Sequence, residues 1–262
     1  MPADPWQSGD PYEYFMGRWS RPVAHEFLQW LSSPAHKRWL DVGCGTGVLS
    51  SAILNVAAPQ DVLAVDASAA FIAFAQQIHQ DTRLQFRVGD ARQLPAETGS
   101  FDVTVSGLAL NFIPDPIVAL ADMARATRAG GVVAVYVWDY ADQMQMLRYF
   151  WDAAVALDPL AKDVDEGERF PLCQPSALRT LFHEARLRDI EVRAIDVPTV
   201  FKDFDDYWSP FLGGQGPAPG YVTSLSHEHR ETLASQLQIA LPVRADGTIA
   251  LVARAWSVRG KV

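Results

Sequence analysis

The feature that most constrains this chain is a run of alternating glycines directly after a short apolar stretch. The run LDVGCGTG covers residues 40–47 and contains Gly43, Gly45 and Gly47. The residues before it have a strand pattern, and Val48 to Leu54 predict a helix. Such a junction offers a ligand both backbone N–H groups and the positive end of a helix dipole. The alternative is a tight turn that needs glycine only for its backbone conformation.

Apolar strand patterns and helical periodicities alternate along the first half of the chain. This alternation predicts a doubly wound α/β fold, in which helices cover both faces of a mostly parallel sheet. Ser20 and Ser68 are the expected N-caps of two of these helices. A helix from about Pro116 to Arg128 should end at Gly130 and Gly131. The predicted strands are residues 39–42, 62–66, 84–88, 101–106 and 132–138.

The second half of the chain is less regular. Tyr140 to Leu157 predicts a long amphipathic helix, and residues 190–197 predict a strand. Residues 198–241 interrupt the pattern with an aromatic stretch, a Gly/Pro-rich loop and a further helix. We expect them to form a helical cap inserted before the last strand. The chain is therefore expected to be one domain over residues 1–262, with residues 1–20 as a lid segment.

Composition and charge restrict the partners. The formal net charge of −9 disfavours a polyanionic ligand, so we expect no nucleic-acid partner. The apolar runs are too short to span a bilayer, and the start lacks a signal-peptide pattern. Cys44 and Cys173 have neither metal-ligand nor disulfide spacing, and His227 and His229 lack a third ligand. These features predict a cytoplasmic protein without a metal or a membrane partner, and they leave the oligomeric state open.

The glycine spacing separates two kinds of nucleotide ligand. A dinucleotide fingerprint has glycines at relative positions 0, 2 and 5, whereas here they lie at 0, 2 and 4. This departure favours a ligand whose amino-acid part, rather than a diphosphate, lies over the loop. Asp66 ends the second strand, where a carboxylate can accept from two ribose hydroxyls or serve only as a turn residue. Asp90 follows the third strand and could accept from an adenine amino group, while the Ala91 N–H donates to the ring.

Together with FDVTVSGLALNF and RAGGVVAVYVWDY, these motifs follow the order and spacing of class I S-adenosylmethionine-dependent methyltransferases. The chain most resembles their ubiquinone-biosynthesis and small-molecule branch, over about Ser20 to Asp139. The resemblance implies a seven-stranded Rossmann-like methyltransferase fold and S-adenosyl-L-methionine as the cofactor. It assigns the loop to the methionine part, Asp66 to the ribose and Arg18 to the cofactor carboxylate. The implied cofactor-binding residues are Arg18, Asp41, Gly43, Cys44, Gly45, Asp66, Ala67, Asp90, Ala91 and Ser106, the last through its backbone carbonyl.

The sequence identifies no general base, so the catalytic residues are unknown. Positioning of the acceptor against an activated methyl group can supply about 7–11 kcal/mol of the barrier reduction. Relatives often have a histidine–aromatic pair after the fourth strand, where this chain has Asn111 and Phe112. Asn111 could orient an acceptor, or it could be a turn residue. The expected acceptor pocket is partly apolar and comprises Tyr14, Trp19, Asn111, Trp138 and Trp208.

Three functions compete at this point. The first is methyl transfer to a small-molecule acceptor. The second is a non-catalytic protein that binds the cofactor as a sensor or partner subunit. The third is a nicotinamide-dependent oxidoreductase, which the glycine spacing and the missing proton-relay residue disfavour.

Overall fold

The computed structural model describes residues 17–213 and 216–262. The apolar runs at the predicted strand positions form strands, and two of these extend several residues beyond the prediction. The strands are β1 (Arg38–Val42), β2 (Asp61–Asp66), β3 (Leu84–Val88), β4 (Phe101–Gly107), β5 (Thr127–Trp138), β6 (Arg188–Phe201) and β7 (Ile249–Lys261).

The strands form one seven-stranded sheet in the order β3-β2-β1-β4-β5-β7-β6. β1 to β5 pair in parallel, and β7 runs antiparallel to β5. The predicted doubly wound, mostly parallel sheet is therefore confirmed. The helices are α1 (Arg18–Leu31), α2 (Val48–Val56), α3 (Ala69–Ile78), α4 (Pro116–Ala126), α5 (Gln145–Leu157), α6 (Glu166–Arg169), α7 (Pro175–Glu184), α8 (Phe204–Trp208), α9 (Pro217–Ser224) and α10 (His227–Ala240).

The start of α1 differs from the prediction. The helix begins at Arg18, so Ser20 lies inside it and is not its N-cap. The reason is that the buried stripe already begins at Trp19 and continues at Val23 and Phe27, a spacing of four residues. Ser68, in contrast, is the N-cap of α3, and its hydroxyl accepts from the N–H of Phe71.

The glycine pair before β5 also has a different role from the predicted one. Helix α4 ends at Ala126, and Thr127 already pairs with β4, so both glycines belong to strand β5. Gly130 has a φ of +74°. A Cβ on Gly131 would lie 2.7 Å from the carbonyl oxygen of Asp102. The glycines therefore permit an irregular strand start that closely approaches β4, and they do not cap the helix.

Helix α5 begins at Gln145, five residues after the predicted start at Tyr140. The intervening residues form a turn, in which the Met144 N–H donates to the Asp139 carbonyl at 2.9 Å. Met144 also forms an isolated antiparallel bridge with Ala253. Pairing with another part of the chain thus overrides the helical periodicity of this segment.

The chain divides into two compact units by its internal contacts. The first contains the described residues of 1–19, 139–171 and 196–254. The second contains residues 20–138, 172–195 and 255–262. The predicted cap, residues 198–241, lies wholly within the first unit, which also includes α5. The expected single-domain organisation remains a prediction.

The core of the first unit is aromatic. The Phe150 ring stacks on Phe211 with centroids 4.5 Å apart, and Tyr207 packs against Phe211 at 5.4 Å. The buried Tyr207 hydroxyl donates to the Met146 carbonyl at 2.9 Å. Tyr207 and Phe211 are thus fully buried structural residues of this unit.

The register of the second unit brings its strand ends to one edge of the sheet. Asp41 near the end of β1 pairs with Ala64 of β2 on one side and Val105 of β4 on the other. Because these strands are parallel, the residues that follow them emerge at the same edge. The ends of β1, β2 and β4 therefore surround one location, where ligands bind in open α/β sheets.

Candidate functional site

The glycine loop makes a tight turn at the end of β1. Gly43, Gly45 and Gly47 have φ values of +73°, +52° and +88°, all in the left-handed region that favours glycine. The N–H groups of Gly43 and Cys44 both donate to the Val65 carbonyl, at 2.8 and 3.1 Å. This bifurcated contact fixes the loop against β2, so its backbone conformation is preset before any ligand binds.

Gly43 and Gly45 are glycines for different reasons. A Cβ on Gly43 would lie 2.5 Å from the Cβ of Ala109, in the segment after β4. A Cβ on Gly45 would meet nothing within 4 Å. Gly43 therefore allows two backbone segments to pack, whereas Gly45 leaves open space over the loop where a ligand can approach the backbone closely.

Asp66 at the end of β2 connects the loop to the following helix. Its Oδ2 accepts from the Gly45 N–H at 2.9 Å, and its Oδ1 accepts from the Ser68 N–H at 2.8 Å. A carboxylate has about four acceptor positions, so about two remain for a ligand. Burial raises the pKa of Asp66 above its usual value, while the two N–H donors act in the opposite direction.

Two polar atoms at this edge are buried without a hydrogen-bond partner among the described residues. Asp41 is fully buried, and the Ser50 hydroxyl donates to its Oδ2 at 2.6 Å, but its Oδ1 has no donor. The buried hydroxyl of Ser106, in β4, is also unpartnered. Burial raises the pKa of Asp41 to about 7, and the negative charge of Asp66 adds to the effect. Such orphaned groups are rare in folded proteins, and at this edge of the sheet they leave hydrogen-bonding positions that a ligand could fill.

Cys44 is held in an apolar cluster with Ala64 and Ile72, against which Phe86 packs. Burial raises the pKa of its thiol well above the usual value, so the thiolate is disfavoured. Its contribution to the loop is therefore its backbone. Ala67 is exposed between Asp66 and Ser68.

Asp90 after β3 is exposed and paired with Arg92. Its oxygens accept from the Arg92 guanidinium at 2.7 to 3.2 Å and from the Arg92 backbone N–H at 2.8 Å. This arginine lowers the pKa of Asp90 to about 2. Ala91 beside it is half-buried. The adenine-binding role of Asp90 and Ala91 remains a prediction.

Arg18 belongs to the first unit, where it is already paired. Its Nη1 donates to Asp206 Oδ1 at 2.8 Å, and its Nη2 donates to the Val200 carbonyl at 3.0 Å. The guanidinium also lies over the rings of Trp19, at 4.3 Å, and Phe201, at 5.4 Å. A role in binding the cofactor carboxylate remains a prediction, and it would require the guanidinium to share or leave Asp206.

The predicted acceptor-pocket residues have different environments. In the second unit, Trp138 is buried at the end of β5, and both amide atoms of Asn111 are buried without a partner. In the first unit, Trp19 is buried edge-on against Phe201, and Trp208 stacks on Phe204. Tyr14 lies outside the described residues.

Sequence reasoning missed several residues that shape the site. Ser50 lies nine residues after Asp41, in the first turn of α2, and this spacing alone was too weak a signal. Ala109 contacts Gly43 from the segment after β4, a long-range approach that has no local signal. Leu108, just before it, adopts a left-handed φ of +57°, uncommon for a residue other than glycine.

A second cleft lies at the opposite edge of the sheet. It is bordered by Arg38, Asp61 and Phe101, which begin β1, β2 and β4. Arg38 and Asp61 are ion-paired there at 3.1 Å. Ligands of open α/β sheets bind at the carboxyl ends of strands, so this amino-end cleft is not the candidate site.

The features at the carboxyl edge fit one class of ligand. The open space at Gly45, the acceptor positions left on Asp66 and the orphaned oxygens of Asp41 and Ser106 suit a nucleoside with a cationic polar tail. They make this edge a candidate site for a nucleoside ligand in an α/β protein, and its polar groups are compatible with S-adenosylmethionine.

Comparisons with known proteins agree with this class. Residues 40–135 match a family model described as a methyltransferase domain. The 2-methyl-6-phytyl-1,4-hydroquinone methyltransferase of Synechocystis is 30% identical over 237 residues, covering 81% of this chain and 73% of the relative. The trans-aconitate 2-methyltransferase of Deinococcus radiodurans is 34% identical, covering 45% of this chain and 49% of the relative.

Solved structures agree on the fold. The YcgJ protein of Bacillus subtilis superposes with a TM-score of 0.60 at 18% identity, covering 93% of this chain and 98% of that one. A second structure is Haemonchus contortus phosphoethanolamine N-methyltransferase 2 in complex with phosphomonomethylethanolamine and S-adenosylhomocysteine. It superposes with a TM-score of 0.59 at 19% identity, covering 96% of this chain and 56% of that one.

The chain belongs to the S-adenosylmethionine-dependent methyltransferase family, and the predicted resemblance is confirmed. S-adenosylmethionine is the cofactor of this family. The chain spans 34–49% of the length of three other curated relatives that it matches. None of the helices described by the structure is both long and apolar enough to cross a membrane.

Proposed function

We propose that the protein transfers a methyl group from S-adenosylmethionine to a small-molecule acceptor in the cytoplasm. The observation that carries the proposal is the loop whose Gly45 N–H is held by Asp66 while the space above Gly45 stays open. A rigid loop that admits a ligand to its backbone and a carboxylate at the next strand end are the two parts a nucleoside cofactor needs. The net charge of −9 supports a small acceptor over a nucleic acid.

Each residue at the site has a proposed role. Asp66 accepts from the ribose hydroxyls, Asp90 and the Ala91 N–H bind the adenine, and Ala67 lies beside the ribose. The loop from Gly43 to Gly45 and the buried Asp41 hold the methionine part. The Ser106 carbonyl accepts from its ammonium group, and Arg18 is the proposed partner of its carboxylate.

Catalysis in this proposal depends on positioning. The bound cofactor supplies an activated methyl group on a sulfonium. The protein holds the acceptor in line and excludes water, which can contribute about 7–11 kcal/mol.

Asn111 is the proposed orienting residue for the acceptor. Its amide nitrogen and oxygen are both buried without a partner, and leaving each unsatisfied costs about 1–3 kcal/mol. It follows Ala109, which contacts the glycine loop, so it lies near the proposed cofactor. Tyr14, Trp19, Trp138 and Trp208 are the proposed apolar part of the acceptor pocket. Relatives that are named for hydroquinone and ubiquinone-pathway substrates support a small-molecule acceptor.

Calorimetry with S-adenosylmethionine and with NAD tests the cofactor. We expect binding of S-adenosylmethionine only, with loss of affinity in Asp66→Ala. Asp81→Asn is the matched control, because Asp81 is a partly exposed aspartate paired with Arg83 outside the site. Tight NAD binding, or unchanged affinity in Asp66→Ala, would contradict the proposal.

Formation of S-adenosylhomocysteine tests the activity. The wild-type protein should produce it with at least one acceptor from a set of phenols, carboxylic acids and amines. Asn111→Leu removes the amide nitrogen and oxygen and should reduce turnover more than it reduces cofactor affinity. Cofactor binding without turnover in any acceptor class would favour a sensor role instead.

A further inference from the structure

Asp41 is the least satisfied acidic group of the proposed site. It is fully buried within the sheet, between Ala64 of β2 and Val105 of β4. Of its two carboxyl oxygens, only Oδ2 has a donor, the Ser50 hydroxyl. An ionised carboxylate accepts about four hydrogen bonds, and burying one that is mostly unsatisfied is strongly unfavourable.

The charges around Asp41 make ionisation still less favourable. Asp66 is the carboxylate that acts on it from β2, and the Cys44 thiol of the loop is held neutral by burial. Ser50 is the polar group that faces it from α2. Within residues 17–213 and 216–262, no basic side chain forms an ion pair with Asp41 or Asp66. Two ionised carboxylates would thus lie close together without a counter-ion.

We infer that Asp41 carries a proton in the ligand-free protein and releases it to solvent when the cationic cofactor binds. This inference rests on the proposed function. S-adenosylmethionine brings a sulfonium and an ammonium group to the loop beside Asp41, and these positive charges stabilise the carboxylate. The O–H bond of the carboxyl group breaks, the electron pair stays on Asp41, and the proton passes to the buffer. The direction agrees with the raised pKa of Asp41, which is about 7 in the structure.

Calorimetry in buffers of different ionisation enthalpy measures the released proton. Near pH 6.5 the wild-type protein should release between half a proton and one proton more than Asp41→Asn per S-adenosylmethionine bound. The comparison removes any contribution from the amino group of the ligand, because both proteins bind the same ligand. The wild-type dissociation constant should rise by about tenfold per pH unit below pH 7, and that of Asp41→Asn should not.

Two controls keep the result interpretable. Asp81→Asn should release as many protons as the wild type, because Asp81 lies outside the site and Arg83 lowers its pKa to about 2. If Asp41→Asn does not fold, Ser50→Ala takes its place. It removes the one hydrogen bond to Asp41 and should move the pH midpoint of cofactor affinity upward.

A spectroscopic measurement supplies a second readout. The infrared difference spectrum on binding should show loss of a protonated-carboxyl C=O band in the wild type and not in Asp41→Asn. Cofactor binding with equal proton release in wild type and Asp41→Asn would overturn the inference and leave the proposed function intact. Failure of the wild type to bind S-adenosylmethionine at all would overturn both.

Discussion

Replacing Gly43 by alanine tests the packing of the glycine loop. The new Cβ would lie 2.5 Å from the Cβ of Ala109, and the residue would keep a φ of +73°. A left-handed conformation costs an alanine about 1–2 kcal/mol, and overpacking typically costs about 1–3 kcal/mol. We therefore expect Gly43→Ala to lower the free energy of unfolding by about 2–5 kcal/mol.

Gly45→Ala is the matched control for this substitution. Its φ of +52° is also left-handed, but its Cβ meets nothing within 4 Å. The expected loss of stability is only the conformational cost of about 1–2 kcal/mol. Since the Cβ of this variant occupies the open space over the loop, S-adenosylmethionine affinity should fall by about tenfold or more. Stability and affinity thus separate the two glycines.

A double-mutant cycle isolates the contact itself. Ala109→Gly removes the partner Cβ, so in Gly43→Ala combined with Ala109→Gly only the conformational cost remains. The coupling free energy from urea unfolding of the four proteins should be about 1–3 kcal/mol. A coupling near zero, or equal losses for Gly43→Ala and Gly45→Ala, would refute the assignment of Gly43 to close packing.

Two further predictions concern the first unit. Glu166 accepts a hydrogen bond from the Trp151 indole, and burial raises the pKa of its carboxyl group to about 8. The stability that this carboxyl group contributes is therefore complete below pH 4.5 and is lost as the pH rises through 8. The whole loss is about 4–5 kcal/mol, of which about 2–3 kcal/mol falls between pH 6 and pH 9. Urea unfolding at these two pH values should show a smaller decrease in the free energy of unfolding for Glu166→Gln than for the wild type. Arg18→Met should lower stability by about 1 kcal/mol or less, because the ion pair with Asp206 is partly exposed. Asp206→Asn removes the ion-pair partner of the Arg18 guanidinium and should therefore tighten the binding of S-adenosylhomocysteine, measured by calorimetry. The same substitution made in the Arg18→Met variant should leave the affinity unchanged.

The strands and the glycine loop were predictable because their signals are local. Residues 84–88, for example, form β3 with the bounds that their alternating apolar and polar pattern predicts. The positions of Asp41 and Asp66 at strand ends follow from the same runs and from parallel pairing. The prediction was wrong at a boundary between elements, where Gly130 and Gly131 suggested the end of a helix. Their role depends on the approach of β4, which has no signal in the neighbouring sequence.

Long-range partners were the part of the site that sequence could not supply. The ion pair of Arg18 joins residues 188 positions apart, and nothing near either residue indicates it. The contact between Gly43 and Ala109 is of the same kind. A lone arginine, glycine or alanine is compatible with many environments, and only the tertiary structure selects one. Residue types therefore indicated the ligand class, but they did not indicate which side chains were already engaged.

The buried carboxyl group of Asp41 is explained by ligand binding and not by the stability of the fold. An apolar residue on β1 would avoid an unsatisfied oxygen in the sheet and the repulsion from Asp66. Fold stability therefore does not explain an acid at this position, whereas a cation at the loop does. The same reasoning does not extend to Glu166, because the hydrogen bond from the Trp151 indole already gives it a structural role. An orphaned acid is informative about a ligand only where its missing partner would lie at the binding edge.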